Sequence, residues 1–148
     1  MTPQARLQAF ADRFEPEIAA QGLAVIERLR GLIPGATELV YDNYNALAVG
    51  FGPGEKASEV IVSVAFYPRW VTLFFMQGAG LDDPAGLFEG KGSTVRSIRL
   101  AGPGDLDRAD VRALVAQALE RARVGIDPEA QRRLVIKSVS TKQRPRRP

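Results

Sequence analysis

Val60-Ile61-Val62-Ser63-Val64-Ala65-Phe66-Tyr67-Pro68-Arg69-Trp70-Val71-Thr72-Leu73-Phe74-Phe75-Met76 is the densest apolar stretch of the chain, and its reading decides the fold. It is too short for two helices and rich in Val and aromatic residues, which predicts two strands joined by a tight turn at Pro68-Arg69. An even-length turn centred there sets Phe66 against Val71, Val64 against Leu73 and Val62 against Phe75. All six are bulky and apolar, so that face is expected to pack beneath helices. The other face receives Ile61, Ser63, Ala65, Tyr67, Trp70, Thr72, Phe74 and Met76, with small side chains in the middle and aromatic ones outside. The turn carries the register. Proline does not fit a type I′ turn, and a three-residue loop would exchange the two faces.

Working outward, Tyr44–Phe51 repeats the division: Leu47, Val49 and Phe51 fall on one side, Ala46, Ala48 and Gly50 on the other. Residues 37–41 form a partner strand, with Asp42-Asn43 as the turn. Residues 94–100 give a fifth strand, broken by Gly102-Pro103-Gly104. Leu7, Phe10, Ala11 and Phe14 make the stripe of a short helix opened by Thr2 and Pro3. A second helix starts at Glu15-Pro16-Glu17, carries Ile18, Gly22, Val25, Ile26, Leu29 and Ile33, and stops at Pro34-Gly35. A third covers about 108–123 through Val111, Leu114, Val115, Ala118 and Leu119, with Asp105 or Asp107 as its cap. The expected fold is α+β: two N-terminal helices and one C-terminal helix on one face of a mainly antiparallel five-stranded sheet. Residues 1–125 form a single domain. Residues 126–148 form a polar, basic, disordered tail, in which Leu134-Val135-Ile136 is the one candidate for a further edge strand.

Composition removes whole classes of chemistry. The 148 residues include neither Cys nor His. Thiolate nucleophiles, disulfides, Cys-ligated metals and the commonest general base are therefore excluded, and any metal must be held by oxygen. No cofactor is implied. The formal charge of +3 is uneven, because Lys137, Lys142, Arg144, Arg146 and Arg147 are unaccompanied by any acid after residue 136. Nucleic acid is thus not expected as a partner except through that basic tail. No apolar run is long enough to cross a membrane, and the opening Met-Thr-Pro-Gln-Ala-Arg shows no charged-then-apolar pattern, so a cytoplasmic protein is expected.

Two regions are candidates for binding. Tyr44, Asn45, Tyr67, Trp70 and Phe74 would rim the small-residue face of the sheet as a seat for a ligand, or for a second copy of the chain. Gly90-Lys91-Gly92-Ser93-Thr94 with Arg96 fails the Walker pattern because Gly92 interrupts it, yet its amides, Lys91 and Arg96 suit an anion. Asp105, Asp107 and Asp110 lack calcium-loop spacing and suit a helix start, as do Asp82-Asp83 before Pro84.

Tyr41-Asp42-Asn43-Tyr44-Asn45-Ala46-Leu47, Ala65-Phe66-Tyr67-Pro68, Leu73-Phe74-Phe75 and Gly90–Ile98 together resemble the YdhG-like family, a domain of unknown function, over roughly residues 5–123. The resemblance implies a frataxin-like α+β fold and, in one branch, an iron chaperone. The sequence departs from the acidic ridge that iron delivery needs: Asp12, Glu15, Glu17, Glu27, Glu38 and Asp42 are spread among Arg6, Arg13, Arg28 and Arg30. The Asp42–Asn45 turn also stands where the family commonly carries proline and glycine. The expected function is a small non-enzymatic binding or chaperone-like domain holding a small anionic ligand or a protein partner. A frataxin-type iron-binding chaperone and a homodimerising module are the alternatives. No catalytic pair emerges from the residues.

Overall fold

A computed structural model describes all 148 residues. Its centre is the hairpin of β3 (Val62–Phe66) and β4 (Val71–Phe75), paired in the expected register with Phe66 opposite Val71, Val64 opposite Leu73 and Val62 opposite Phe75. All six side chains are fully buried. The connection is even, Tyr67 donating its N–H to the Trp70 carbonyl at 2.9 Å. No residue in it has positive φ. Proline is therefore accommodated without a primed turn, and the face assignment survives.

The remaining strands build outward from this pair. β2 (Leu47–Gly52) lies antiparallel to β3, β1 (Thr37–Asp42) antiparallel to β2, and β5 (Arg96–Leu100) antiparallel to β4. The sheet has six strands, not five. Arg133–Val139 forms β6, which pairs parallel with β1 and gives the order β5-β4-β3-β2-β1-β6. The expected disordered tail is corrected over this stretch. Leu134 and Ile136 pack against the core while Val135 falls on the opposite face, an alternation short enough to be outweighed in the sequence by its charged neighbours.

The three helices share one side of the sheet. α1 (Pro3–Ala11) is capped by the Thr2 hydroxyl, which accepts from Ala5 N at 3.1 Å, and α2 (Pro16–Leu32) opens on a proline. Leu7 and Ala11 of α1, Ile18 to Leu29 of α2, and Val111 to Ala118 of α3 (Ala109–Glu120) belong to one core cluster with the hairpin's apolar face. Leu39 and Ala65 are buried outside that cluster, on the opposite face. The acids expected to cap α3 do other work. Asp105 accepts the Ala101 N–H at 2.8 Å, and Asp107 pairs with Arg28 of α2 at 3.2 Å.

Candidate functional site

The structure sets the two candidate binding regions at opposite ends of β4. Tyr67 and Trp70 lie in the β3–β4 connection, their rings 6.1 Å apart. Tyr44 and Asn45 lie in the β1–β2 connection, closed by Asn43 N donating to the Ala46 carbonyl at 2.9 Å, rather than on a strand. Both connections occupy the same end of the sheet, since Leu47 pairs with Phe66. Arg96 pairs with Phe75 at the other end of β4, about 17 Å away at the rise of a strand. Lys91 is exposed, and the Arg96 guanidinium is turned back on its own loop, donating to the Gly92 carbonyl at 2.6 Å and the Val95 carbonyl at 2.8 Å. Arg96 is thereby occupied in holding the loop.

The small-residue floor is also not open. Ala65 is 3% and Thr72 7% exposed although no helix covers them. Their own neighbours close the surface: Trp70 and Phe74 flank Thr72 along β4, and Val60 sits where a Cβ on Gly50 would point. Ile61, expected on this face, instead joins the core cluster. Burial lifts the Tyr67 phenol above the ordinary tyrosine range. Tyr41, on the same face as Ala48, is lifted for the same reason, and its hydroxyl is buried without a hydrogen-bond partner. Tyr41→Phe is therefore expected to leave stability unchanged or raise it by up to about 1 kcal/mol, read from urea unfolding; a loss would mean that the hydroxyl has a partner.

A cavity of about 610 Å³ lies at the other end, on the helix side. Its apolar wall comes from Ile61 at the start of β3, Phe75 at the end of β4, Leu81, and Ala118 on α3. Its polar wall comes from Ser58, Gln77, Ser93 and Thr94, so the Gly90–Thr94 loop reaches a site through its hydroxyls and not through Lys91. Three charged residues line it: Arg121, Arg123 and Glu59. Arg121 is already engaged, donating to the Gly80 carbonyl at 2.9 Å and to Asp82 at 3.0 Å. Arg123 is exposed and makes no ion pair. The last carbonyls of α3 point toward this end, and the two arginines oppose their partial negative charge. Of this lining, the sequence marks only Ser93 and Thr94 as part of a candidate site, since Arg121 and Arg123 suit the end of a helix equally well.

Two carboxylates of the N-terminal half, Glu38 and Asp42, are structural partners rather than free ligands. Glu38, fully buried on β1, accepts from Arg30 at 2.8 Å and from Arg132 at 3.3 Å. Burial alone would lower the Arg30 pKa, but the bonds and charges of Glu38 and Glu27 outweigh it and hold the guanidinium above its ordinary value. Asp42 is buried against Arg146 at 2.9 Å. No group of three or more carboxylates is gathered anywhere in the chain in a way that could hold a metal ion. No helix is long and apolar enough to cross a membrane. Comparison with protein-family profiles, with curated proteins and with solved structures finds no match to the chain.

Proposed function

We propose that the chain is a non-enzymatic binding domain that holds a small anion with an apolar body in the cavity beneath the C-terminal end of α3. The observation that carries this reading is the pairing, in one cavity of about 610 Å³, of an apolar wall with an arginine lacking an acidic partner. Volumes of a few hundred cubic ångströms suit small ligands, and a few polar groups on an apolar wall set their orientation. Arg123 takes the anionic head, Ser93 and Thr94 donate to it, and Ile61, Phe75 and Ala118 receive the apolar part. Arg121, fixed by Asp82 and Gly80, shapes the wall. Glu59 at the rim disfavours a second negative charge, so the reading is a monoanion. Catalysis is not part of it: Glu59 is the one carboxylate of the lining, and the chain has neither His nor Cys.

The YdhG-like likeness and a frataxin-like fold rest on the sequence segments described above, and the iron role depends on them. Glu38 and Asp42 are committed to buried arginines, so an iron site on the first helices and first strand would have to break those pairs. Titration calorimetry with octanoate tests the anion reading, using octanol, octylamine and acetate as controls. Octanoate should bind most tightly, and Arg123→Ala should weaken it about tenfold, equivalent to about 1.4 kcal/mol. Equal binding of octanol or octylamine, or no binding by any of the four, would overturn the assignment.

A further inference from the structure

The end of the sheet remote from the cavity presents two arginines laid on aromatic rings. The Arg99 guanidinium lies 3.8 Å from the centroid of Trp70, and that of Arg144 lies 5.6 Å from the centroid of Tyr44. Arg99 is placed by register, because its strand neighbour is Thr72, two residues beyond Trp70. Arg144 is placed by the chain, its N–H donating to the Tyr44 carbonyl at 2.9 Å. The two rings belong to turns two strand spacings apart, about 10 Å. Tyr44 is 48% exposed, one of few large apolar side chains so open to solvent.

Arginine and lysine side chains gather beside these pairs, while Glu15, which reaches the C-terminal residues, is engaged with Arg147 at 3.7 Å. Arg99, Arg144, Arg69 and Lys142 are all exposed, and none makes an ion pair. Asp42, the carboxylate of the β1–β2 end, is buried and committed to Arg146. Two copies of the chain docking here would bring like charges together, which disfavours a symmetric dimer through this end. A small anion would satisfy one arginine and leave the other pair unused. A flexible polyanion carrying flat groups would use both pairs at once, with phosphates on the guanidinium edges and bases on the aromatic and guanidinium planes.

We infer that the sheet end formed by the Tyr44 and Trp70 turns binds single-stranded nucleic acid, through the Arg99–Trp70 and Arg144–Tyr44 pairs. This site is separate from the cavity and stands without it. It takes the basic C-terminal residues from a diffuse charge to a positioned contact. Double-stranded nucleic acid, whose bases are already stacked on one another, would offer phosphates and groove edges but no free base faces to stack on these pairs.

The test uses the full chain and a single-stranded oligodeoxyadenylate of about a dozen nucleotides, a length within the range that single-strand-binding folds cover. Trp70 is the only tryptophan, so its fluorescence reports the site directly. Binding should quench Trp70 and weaken with salt. Arg99→Ala and Tyr44→Ala should each loosen binding at least about fivefold. The Arg99 variant should also flatten the slope of log affinity against log salt by about 0.7, the contribution of one phosphate contact to a single strand. Both side chains are exposed, and unchanged circular dichroism would show that the fold persists. An abasic oligomer of the same length and polyglutamate supply charge without bases. Equally tight binding of either would overturn the proposal in favour of plain charge attraction or an acidic protein segment. Absence of Trp70 quenching, or wild-type binding by the Arg99 and Tyr44 variants, would overturn it as well.

Discussion

Arg146→Ala is expected to lower the free energy of unfolding by about 3–5 kcal/mol, the range found when one partner of a buried ion pair is removed. Arg146 lies near the end of a segment that reads as solvated, yet its side chain is 2% exposed. Its Nη2 donates to Asp42 at 2.9 Å and to the Asn43 carbonyl at 2.6 Å, and its guanidinium rests 5.5 Å from the Phe14 ring centroid. Without it Asp42, itself 1% exposed, keeps only Arg13 at 3.6 Å, a side chain half open to water. Adding Asp42→Asn to Arg146→Ala should recover part of the loss, because it removes the stranded charge. The pair is not perfectly satisfied: Asp42 Oδ2 and Arg146 Nε and Nη1 have no hydrogen-bond partner. Replacing both by apolar residues of similar volume should therefore cost less than removing the arginine alone. Urea unfolding of the four proteins decides the point, and a loss below about 1 kcal/mol for Arg146→Ala would place that side chain in water.

Gly22→Ala is expected to destabilise the fold by about 1–3 kcal/mol even though alanine is the better helix former. Gly22 lies in α2 over the hairpin, and a Cβ there would fall inside the van der Waals surface of Cε2 and Cζ of Phe66. That ring cannot retreat, because Phe66 is fully buried and packs at 5.6 Å on Phe14. The same helix supplies the control. Gly31 has nothing within 4 Å of its would-be Cβ, so Gly31→Ala should stabilise by up to about 1 kcal/mol. Phe66→Leu should relieve part of the Gly22→Ala penalty. If both glycine variants shift the unfolding midpoint in the same direction, helix propensity and not contact with Phe66 governs position 22.

What was legible in the sequence follows from how each signal arises. Strict alternation of Val62, Val64 and Phe66 with Val71, Leu73 and Phe75 marks the apolar faces, while the register hung on the turn length, and the structure has the even turn that sets those faces together. Helical stripes through α1, α2 and α3 were equally direct, since burial on one face imposes the period. β6 was reduced to a three-residue candidate because Arg132 and Arg133 before that apolar run and Lys137 after it bracket it with charge. They are tolerated there because Glu38 takes Arg132, and Glu55 takes Arg133 through its carboxylate and Lys137 through its carbonyl. Such compensation runs between residues far apart in the chain and leaves no local pattern. The same holds for the site. Trp70 and Tyr67 were identifiable as aromatic residues flanking a turn, whereas Arg99 became visible as a partner only through the β4–β5 register. Lys91 and Arg96 were singled out as cations in a glycine-flanked loop. The structure uses Arg96 to fasten that loop, and the cavity beside it draws on Ser93 and Thr94 instead.

The parallel border between β1 and β6 also has a kinetic meaning. Asp42 and Arg146 are separated by 104 positions, so the contact closes a loop spanning most of the chain. Contacts between neighbouring strands of the β1–β5 order require far shorter closures, and the entropy of closing a loop grows with its length. Sealing the β1 edge is accordingly expected to come late on the folding path, with β1 exposing a pairing-competent edge until then. Interactions absent from the transition state govern how fast a protein opens and have little influence on how fast it folds. Loss of the Asp42–Arg146 contact is thus expected to speed unfolding with little change in the folding rate, as stopped-flow urea jumps on Arg146→Ala would read.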